Sequence, residues 1–175
     1  MKQLYLLRHA HAEPHGLGWS DFDRPLDERG HAEGKAIAAY LRKKKISFDF
    51  VMCSAALRAQ ETLEPLRPII EPSAIEISKS FYDISEDKIL EHLTLVSEEK
   101  DKVLYIGHNP GVAFSILKFA KVMPHFLTDG VTPGTLTGLQ FPFDKWMDLE
   151  WGRAEIIDLF QPYLAGTEVL GLQEP

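Results

Sequence analysis

Two histidines follow short apolar runs of the sequence. One lies in Arg8-His9-Ala10-His11, directly after the apolar run 4–7. The other lies in Gly107-His108-Asn109-Pro110-Gly111, directly after the apolar run 103–106. An imidazole is a competent nucleophile at neutral pH because its pKa is near 6.5. If both runs are strands of one open sheet, the two imidazoles can face each other across a pocket that suits an anion.

Arginines accompany both histidines. Arg58 lies near the start of a predicted helix, and long helical side chains lean toward the amino terminus, so its guanidinium group can reach the same sheet edge. Together with Arg8 it would supply two planar forks that hold phosphate oxygens in a bidentate manner. The loop before the first helix adds a third arginine, Arg24, and two carboxylates, Asp21 and Asp23.

The elements that must position these groups are short apolar strands alternating with helical patterns. Strands are predicted at 4–7, 48–53, 75–77 and 103–106. This alternation is typical of an α/β fold with a mostly parallel central sheet. Alternating residues at 135–141 and 153–160 predict two later strands that pair antiparallel at an edge. We therefore expect a three-layer sandwich with helices on both faces of the sheet.

Capping residues indicate where the helices should begin. The predicted N-caps are Asp27, Ser54, Ser85 and Asn109, the last with Pro110 at the first helical position. Pro65 should kink or end the second helix, because proline lacks the amide N–H that the helix ladder uses. The chain is predicted to form a single domain over residues 1–165, followed by a loose tail at 166–175.

The composition is that of an acidic globular chain. Of its 175 residues, 45% are hydrophobic and 26% are charged, and the formal net charge is −7. An acidic surface is unsuited to nucleic acid or to an anionic membrane, so neither partner is expected. Cys53 is the single cysteine, which excludes an internal disulfide, and it is interpreted as a buried structural thiol. The apolar run at 4–7 is too short for a signal peptide, and a cytoplasmic protein is expected.

Four motifs taken together resemble the histidine phosphatase superfamily, and specifically its bacterial phosphohistidine phosphatase branch, the SixA type. Its two signature motifs are matched by Arg8-His9-Ala10 and Gly107-His108. The SixA-type motifs are matched by Asp21-x-x-Arg24-Pro25-Leu26 and Leu57-Arg58-Ala59-Gln60-Glu61-Thr62. The resemblance covers nearly the whole chain and implies a phosphoglycerate mutase-like fold without a large cap domain.

What the resemblance implies is a metal-independent phosphatase with no cofactor. His9, neutral and held by a backbone carbonyl through its other ring nitrogen, would attack phosphorus and form a phosphohistidine that water then hydrolyses. The groups expected to hold the phosphoryl oxygens are Arg8, Arg58, His108, Arg24 and Asn109. The substrate would be a phosphorylated protein, such as a histidine phosphotransfer domain, or a small phosphoester.

Several alternatives remain open at this point. The leaving-group acid is Asp21 in the favoured interpretation, but the loop after the third strand also offers Asp83 and Glu86. The chain could instead be a sugar-phosphate phosphatase or mutase, or a phosphate-binding regulatory module whose catalysis has decayed. A metal site on the histidines near the first motif is disfavoured, because the spacing of His11, His15 and His31 matches no common zinc pattern.

Overall fold

Six strands form one mixed sheet in the computed structural model, which describes residues 1–125 and 130–162. The strands are β1 (Gln3–Arg8), β2 (Phe50–Ser54), β3 (Ile75–Ser78), β4 (Lys102–Gly107), β5 (Leu136–Gln140) and β6 (Glu155–Phe160). They lie in the order β3-β2-β4-β1-β5-β6. Every strand predicted from the sequence is confirmed, with small shifts at its ends.

The sheet is parallel from β3 to β1 and reverses direction at β5. The pairs β2–β3, β2–β4 and β1–β4 are parallel, whereas β5 pairs antiparallel with both β1 and β6. The predicted antiparallel edge is therefore present, with β5 as the reversed strand and β6 as the outer one.

Helices cover both faces of the sheet. On one face lie α1 (Glu28–Lys44) and α2 (Leu57–Leu63), and on the other lie α3 (Glu86–Thr94) and α4 (Gly111–Phe119). Tyr5 and Leu7 of β1 pack into the core beneath α1 and α2, whereas Leu4 and Leu6 pack into the core beneath α3 and α4. Successive side chains of a strand point to opposite faces, so a strand covered on both sides is apolar throughout. The three-layer sandwich is confirmed.

Two of the predicted N-caps are confirmed. The Asp27 carboxylate accepts a hydrogen bond from the Gly30 amide at 2.8 Å, and the Ser85 hydroxyl accepts one from the Lys88 amide at 3.4 Å. These bonds satisfy amides at the helix start that have no partner within the helix. As expected for Pro65, α2 ends at Leu63 and continues as a 3₁₀ turn over Glu64–Ile69.

The other two predicted N-caps are wrong. Ser54 is the last residue of β2, and the N-cap of α2 is Ala56, which makes no side-chain cap. The N-cap of α4 is Pro110, also without a side-chain cap, because the Asn109 amide group instead donates to the Val131 carbonyl oxygen at 2.9 Å. Both polar side chains are engaged by other parts of the fold.

The strand order brings the two histidine motifs to one edge of the sheet. Arg8 at the end of β1 pairs with Gly107 at the end of β4, and the His9 amide donates to the Gly107 carbonyl oxygen at 3.0 Å. Within the described residues, no helix is long and apolar enough to cross a membrane. The predicted boundary at residue 165 and the tail at 166–175 lie outside the described residues.

Candidate active site

His9 is buried at the carboxyl end of β1, with 7% of its surface exposed. Its Nδ1 lies 2.7 Å from the Ala10 carbonyl oxygen, which can only accept a hydrogen bond, so Nδ1 carries the proton. Its Nε2 therefore holds a lone pair, and it accepts a hydrogen bond from Nε of Arg58 at 3.2 Å. The backbone thus fixes the tautomer that leaves Nε2 as the nucleophilic nitrogen.

His108 faces His9 from the neighbouring strand, with 5.1 Å between the ring centroids. Its Nδ1 accepts a hydrogen bond from Nη2 of Arg58 at 3.1 Å, since a guanidinium group can only donate. Its Nε2 then donates to the Ser54 hydroxyl at 2.8 Å. The predicted convergence of the two imidazoles is what the structure shows.

Arg58, in the first turn of α2, contacts the other main groups of the site. The residue is 4% exposed, its side chain contacts both imidazoles, and Nη2 also lies 3.0 Å from the Asp21 carboxylate. Nη1 donates to the Asp21 carbonyl oxygen. The sequence-based expectation that this guanidinium group reaches the sheet edge agrees with these contacts.

Arg8 and Asn109 meet at a single backbone acceptor. Nη1 of Arg8 donates to the Val131 carbonyl oxygen at 2.6 Å, and the Asn109 amide group donates to the same oxygen. Nε of Arg8 and Oδ1 of Asn109 are buried without a partner. Buried polar atoms rarely lack a partner, and an unpaired guanidinium N–H is suited to an anionic ligand.

Asp21 is held by three side chains at the open side of the site. Its carboxylate lies 3.1 Å from Nη2 of Arg24, 3.0 Å from Nη2 of Arg58 and 2.6 Å from the Tyr82 hydroxyl. The ring of Tyr82 also lies edge-on to His108, at 5.3 Å between centroids. Asp21 therefore occupies N–H donors of Arg24 and Arg58 that face the site.

Burial and neighbouring charges keep both imidazoles neutral. Burial lowers the pKa of His9 well below its usual value, and His108, Arg58 and Arg8 lower it further. Burial also lowers the pKa of His108 to about 3, with Arg58 as the next cause. A neutral His9 keeps the lone pair that nucleophilic attack requires.

The carboxylates considered as acids differ in position. The Tyr82 hydrogen bond, joined by Arg58 and Arg24, holds the pKa of Asp21 well below its usual range, so Asp21 is ionised in the unliganded site. Glu86 pairs with Lys118 at 2.7 Å on the α3–α4 face, which lowers its pKa. Asp83 makes no hydrogen bond or ion pair within the described residues. Of the three, only Asp21 contacts the histidine–arginine cluster.

Several residues that were not predicted as site residues hold the site in place through hydrogen bonds. Ser54 orients His108, and Thr62 accepts a hydrogen bond from the Ala10 amide at 3.0 Å. Glu61 accepts one from the Leu26 amide at 2.6 Å. Thr62 and Glu61 both belong to the motif that begins at Leu57, so that motif could have indicated their structural role. Tyr82 stands beside Asp83 and could have been recognised only through the fold.

Positive charge dominates the site. The guanidinium groups of Arg24 and Arg58 pair with the Asp21 carboxylate, and Arg8 and Arg58 both lie close enough to His9 to lower its pKa. Such a cluster favours an anion and disfavours a metal cation. Across residues 1–125 and 130–162, no group of three or more histidine, cysteine or acidic side chains is placed to hold a metal ion.

The remaining candidates have local roles. His11 lies 2.5 Å from the Asp27 carboxylate, and His15 lies 3.5 Å from the Asp21 carboxylate. Cys53 is buried, and burial raises the pKa of its thiol to about 12, which makes it a poor nucleophile. The interpretation of Cys53 as structural is supported.

Comparison with known families agrees with this geometry. The family model of the histidine phosphatase superfamily (branch 1) matches residues 4–110, which include both histidine motifs and Arg58. The chain belongs to the histidine phosphatase superfamily. It is therefore an enzyme of the phosphatase class, and its sheet, without a large cap domain in the described part of the chain, is that of a SixA-like member.

SixA proteins resemble this superfamily member over most of its length. Phosphohistidine phosphatase SixA of Escherichia coli K12 is 27% identical over 139 residues, which cover 77% of this chain and 85% of that protein. A crystal structure assigned to SixA of Agrobacterium tumefaciens superposes with a TM-score of 0.77 at 25% identity, covering 92% of this chain and 98% of the other. The resemblance to the SixA branch is confirmed.

A second kind of relative matches a shorter stretch. The 2,3-bisphosphoglycerate-dependent phosphoglycerate mutase of Hamiltonella defensa is 34% identical over 85 residues, which cover 46% of this chain and 33% of the mutase. The similarity to the mutase is thus confined to part of the domain, whereas the similarity to SixA extends across most of it.

Proposed function

We propose that this protein is a phosphohistidine phosphatase that transfers the phosphoryl group of a protein-borne phosphohistidine to His9 and then to water. The observation that carries the proposal is the fixed tautomer of His9. The Ala10 carbonyl holds the proton on Nδ1, and Nε2 points into a cluster of guanidinium groups beside His108. A nucleophile placed among cationic donors is what phosphoryl transfer requires.

The reaction proceeds in two displacements. The lone pair of His9 Nε2 forms a bond to phosphorus while the bond from phosphorus to the leaving nitrogen breaks and that nitrogen takes up a proton. A water molecule then attacks the phosphorus of the phosphohistidine, the bond to Nε2 breaks, and inorganic phosphate is released. Neutral His9 is regenerated, and no metal or redox partner is consumed.

Arg58 must exchange partners during the first displacement. In the unliganded site its N–H groups are donated to His9, His108 and Asp21. A phosphoryl group in the cluster can take these N–H groups, which frees the Nε2 lone pair for attack. Arg8 contributes its unpaired buried Nε, and Arg24 and Asn109 are assigned to the remaining phosphoryl oxygens.

Asp21 is the proposed proton donor to the leaving group. It is ionised while it pairs with the arginines. Once a phosphoryl dianion takes over the guanidinium groups, Asp21 loses cationic neighbours and gains a negative one, and both changes raise its pKa. The displaced carboxyl group can then carry the proton that the leaving nitrogen needs.

The substrate class rests on similarity and on the openness of the site. A protein named phosphohistidine phosphatase SixA matches most of the chain, and no cap covers the histidine–arginine cluster in the described residues. An open site suits a phosphoryl group carried on a protein surface. We place this activity in the cytoplasm. The partial match to phosphoglycerate mutases favours a small phosphoester as the second candidate substrate.

The test compares a phosphorylated histidine phosphotransfer domain with a panel of sugar phosphates, each with and without EDTA. We expect turnover of the protein substrate, unchanged by EDTA, and its loss by at least about 10³-fold in His9→Ala. His11→Ala is the matched control, because it removes a neighbouring imidazole outside the cluster. Turnover of sugar phosphates alone would favour the small-molecule alternative, and full activity in His9→Ala would refute the mechanism.

A further inference from the structure

The loop between β1 and α1 carries large apolar side chains into solvent beside the candidate active site. Leu17 is 57% exposed and Trp19 is 46% exposed. Leu57, at the start of α2, is 37% exposed, and its amide donates to the Phe22 carbonyl oxygen of the same loop at 3.0 Å. We call Leu17, Trp19, Phe22 and Leu57 the rim patch.

Two glycines with positive φ lie beside the first residue of the patch. Gly16 and Gly18 have φ angles of 90° and 92°, a left-handed conformation that favours glycine, and they flank Leu17 on both sides. No atom lies within 4 Å of where a Cβ would sit at either glycine. A hydrogen bond joins the two sides of the loop outside residues 16–19, where Arg24 donates to the Glu13 carbonyl oxygen. Leu17 and Trp19 take no part in this bond, and they are 57% and 46% exposed.

The patch borders the phosphoryl-binding cluster directly. Trp19 is two residues from Asp21, a separation of at most about 7 Å along the chain, and Asp21 contacts Arg58. Phe22 packs edge-on against Tyr82, with 5.0 Å between ring centroids. The Lys79 ammonium group lies 5.6 Å from the centre of the Phe22 ring. Apolar side chains and the Lys79 cation thus lie beside the candidate site on this loop.

We propose that the rim patch is the docking surface for the protein that carries the phosphohistidine. The inference rests on the proposed function. The occupant must present an anion to Arg8, Arg24 and Arg58 and, at the same time, an apolar surface to Leu17 and Trp19. A ligand that only fills the histidine–arginine cluster cannot cover side chains that stand outside it. Tryptophan and arginine at the centre of an interface commonly supply most of its affinity.

Two substrates with the same leaving group distinguish an effect on protein docking from an effect on phosphoryl transfer. Free phosphohistidine and a phosphorylated histidine phosphotransfer domain both release an imidazole nitrogen, and only the domain has a protein surface. For Leu17→Ser/Trp19→Ser, we expect kcat/KM for the domain to fall about tenfold or more, through KM. The value for free phosphohistidine should stay within about twofold of the wild-type value.

Leu95→Ser/Met147→Ser is the matched control. These side chains are 78% and 65% exposed and lie toward the opposite edge of the sheet, so both substrates should be turned over at wild-type rates. Equal loss for both substrates in the rim variant would overturn the proposal, as would no loss for either. A change in sedimentation between wild type and the rim variant would assign the patch to a second copy of the chain instead. Hydrolysis of free phosphohistidine by the rim variant shows that the catalytic proposal stands independently.

Discussion

The amino and carboxyl ends of the strands, here called the amino edge and the carboxyl edge, each hold a cationic side chain. The two cations differ in how many of their N–H groups have a partner. At the amino edge, the Lys2 ammonium group is 1% exposed and donates to the carbonyl oxygens of Glu98 and Lys100 and to the Asp101 carboxylate, at 2.5, 3.1 and 3.0 Å. At the carboxyl edge, Arg8 leaves its buried Nε without a partner.

In our proposal this contrast separates a structural cation, Lys2, from cations that bind a ligand, Arg8 and Arg58. All three N–H groups of Lys2 are occupied, so nothing remains for a ligand. Arg8 has one buried N–H group, Nε, without a partner, and Arg58 donates part of its N–H groups to the Asp21 carboxylate, which a stronger anion can replace. A buried donor without a partner costs stability, and such donors are typical of binding sites, where the ligand supplies the missing acceptor. Changes at the carboxyl edge should therefore alter activity, and changes at the amino edge should alter stability.

Among variants that retain His9, the largest loss of turnover is expected at Arg58. Arg58→Lys retains the charge and loses the planar fork that reaches both imidazoles, so turnover should fall about 10²–10³-fold. Phosphoester hydrolysis measures the loss, with circular dichroism to confirm folding. Arg67→Lys changes a half-buried arginine that pairs with Glu64 away from the site, and it should retain activity. Equal activity of the two variants would remove Arg58 from the mechanism.

Asp21 should show a smaller effect that depends on the leaving group. For Asp21→Asn, turnover of an alkyl phosphate should fall about 10²-fold, because the departing oxygen needs a proton, whereas p-nitrophenyl phosphate should be much less affected. Steady-state kinetics with the two esters give the ratio. The same loss for both esters would show that Asp21 positions Arg24 and Arg58 without donating a proton.

The buried imidazole of His108 should make stability depend on pH. Its folded pKa of about 3 lies below the unfolded value near 6.5, so the unfolded chain binds the extra proton and stability is lost as pH falls from 6.5 toward 3. Between pH 7 and pH 5 this amounts to about 2 kcal/mol, measured by urea unfolding. His108→Gln should lose that share of the dependence, and His31→Gln, at an exposed position on α1, is the control. A wild-type slope in His108→Gln would contradict the assignment.

The smallest effect is expected at the amino edge. Lys2→Met should lower the free energy of unfolding by about 1–2 kcal/mol, because the carbonyl oxygens of Glu98 and Lys100 lose their donor. Turnover per folded molecule should not change. Thermal unfolding together with the phosphatase assay tests both statements, and a loss of activity without a loss of stability would undo the contrast between the two edges.

The sequence was informative wherever local chemistry decides the structure. Apolar runs located the first four strands, and alternating residues located the last two. Asp27 and Ser85 located two helix starts, because a cap depends on residues within one turn. The meeting of His9 with His108 also followed, since parallel strands end at a common edge.

The errors share one physical cause. Ser54 and Asn109 were predicted as caps from their type and position, but β2 lies beside β4, which places Ser54 against His108, and Asn109 binds Val131. Tyr82 was overlooked for the same reason, since it meets Asp21 across 61 residues. Contacts between residues that are far apart in the chain depend on the strand order and on the path of the loops. They cannot be deduced from the local sequence pattern.

The central claim is that His9 carries the phosphoryl group during turnover. Rapid mixing with a phosphorylated histidine phosphotransfer domain, an alkaline quench and peptide mass spectrometry would locate it directly. We predict a phosphoryl group on the peptide containing His9, absent in His9→Ala. Turnover with the phosphoryl group on His108 or on another residue, or with no phosphorylated enzyme at any mixing time, would contradict the mechanism.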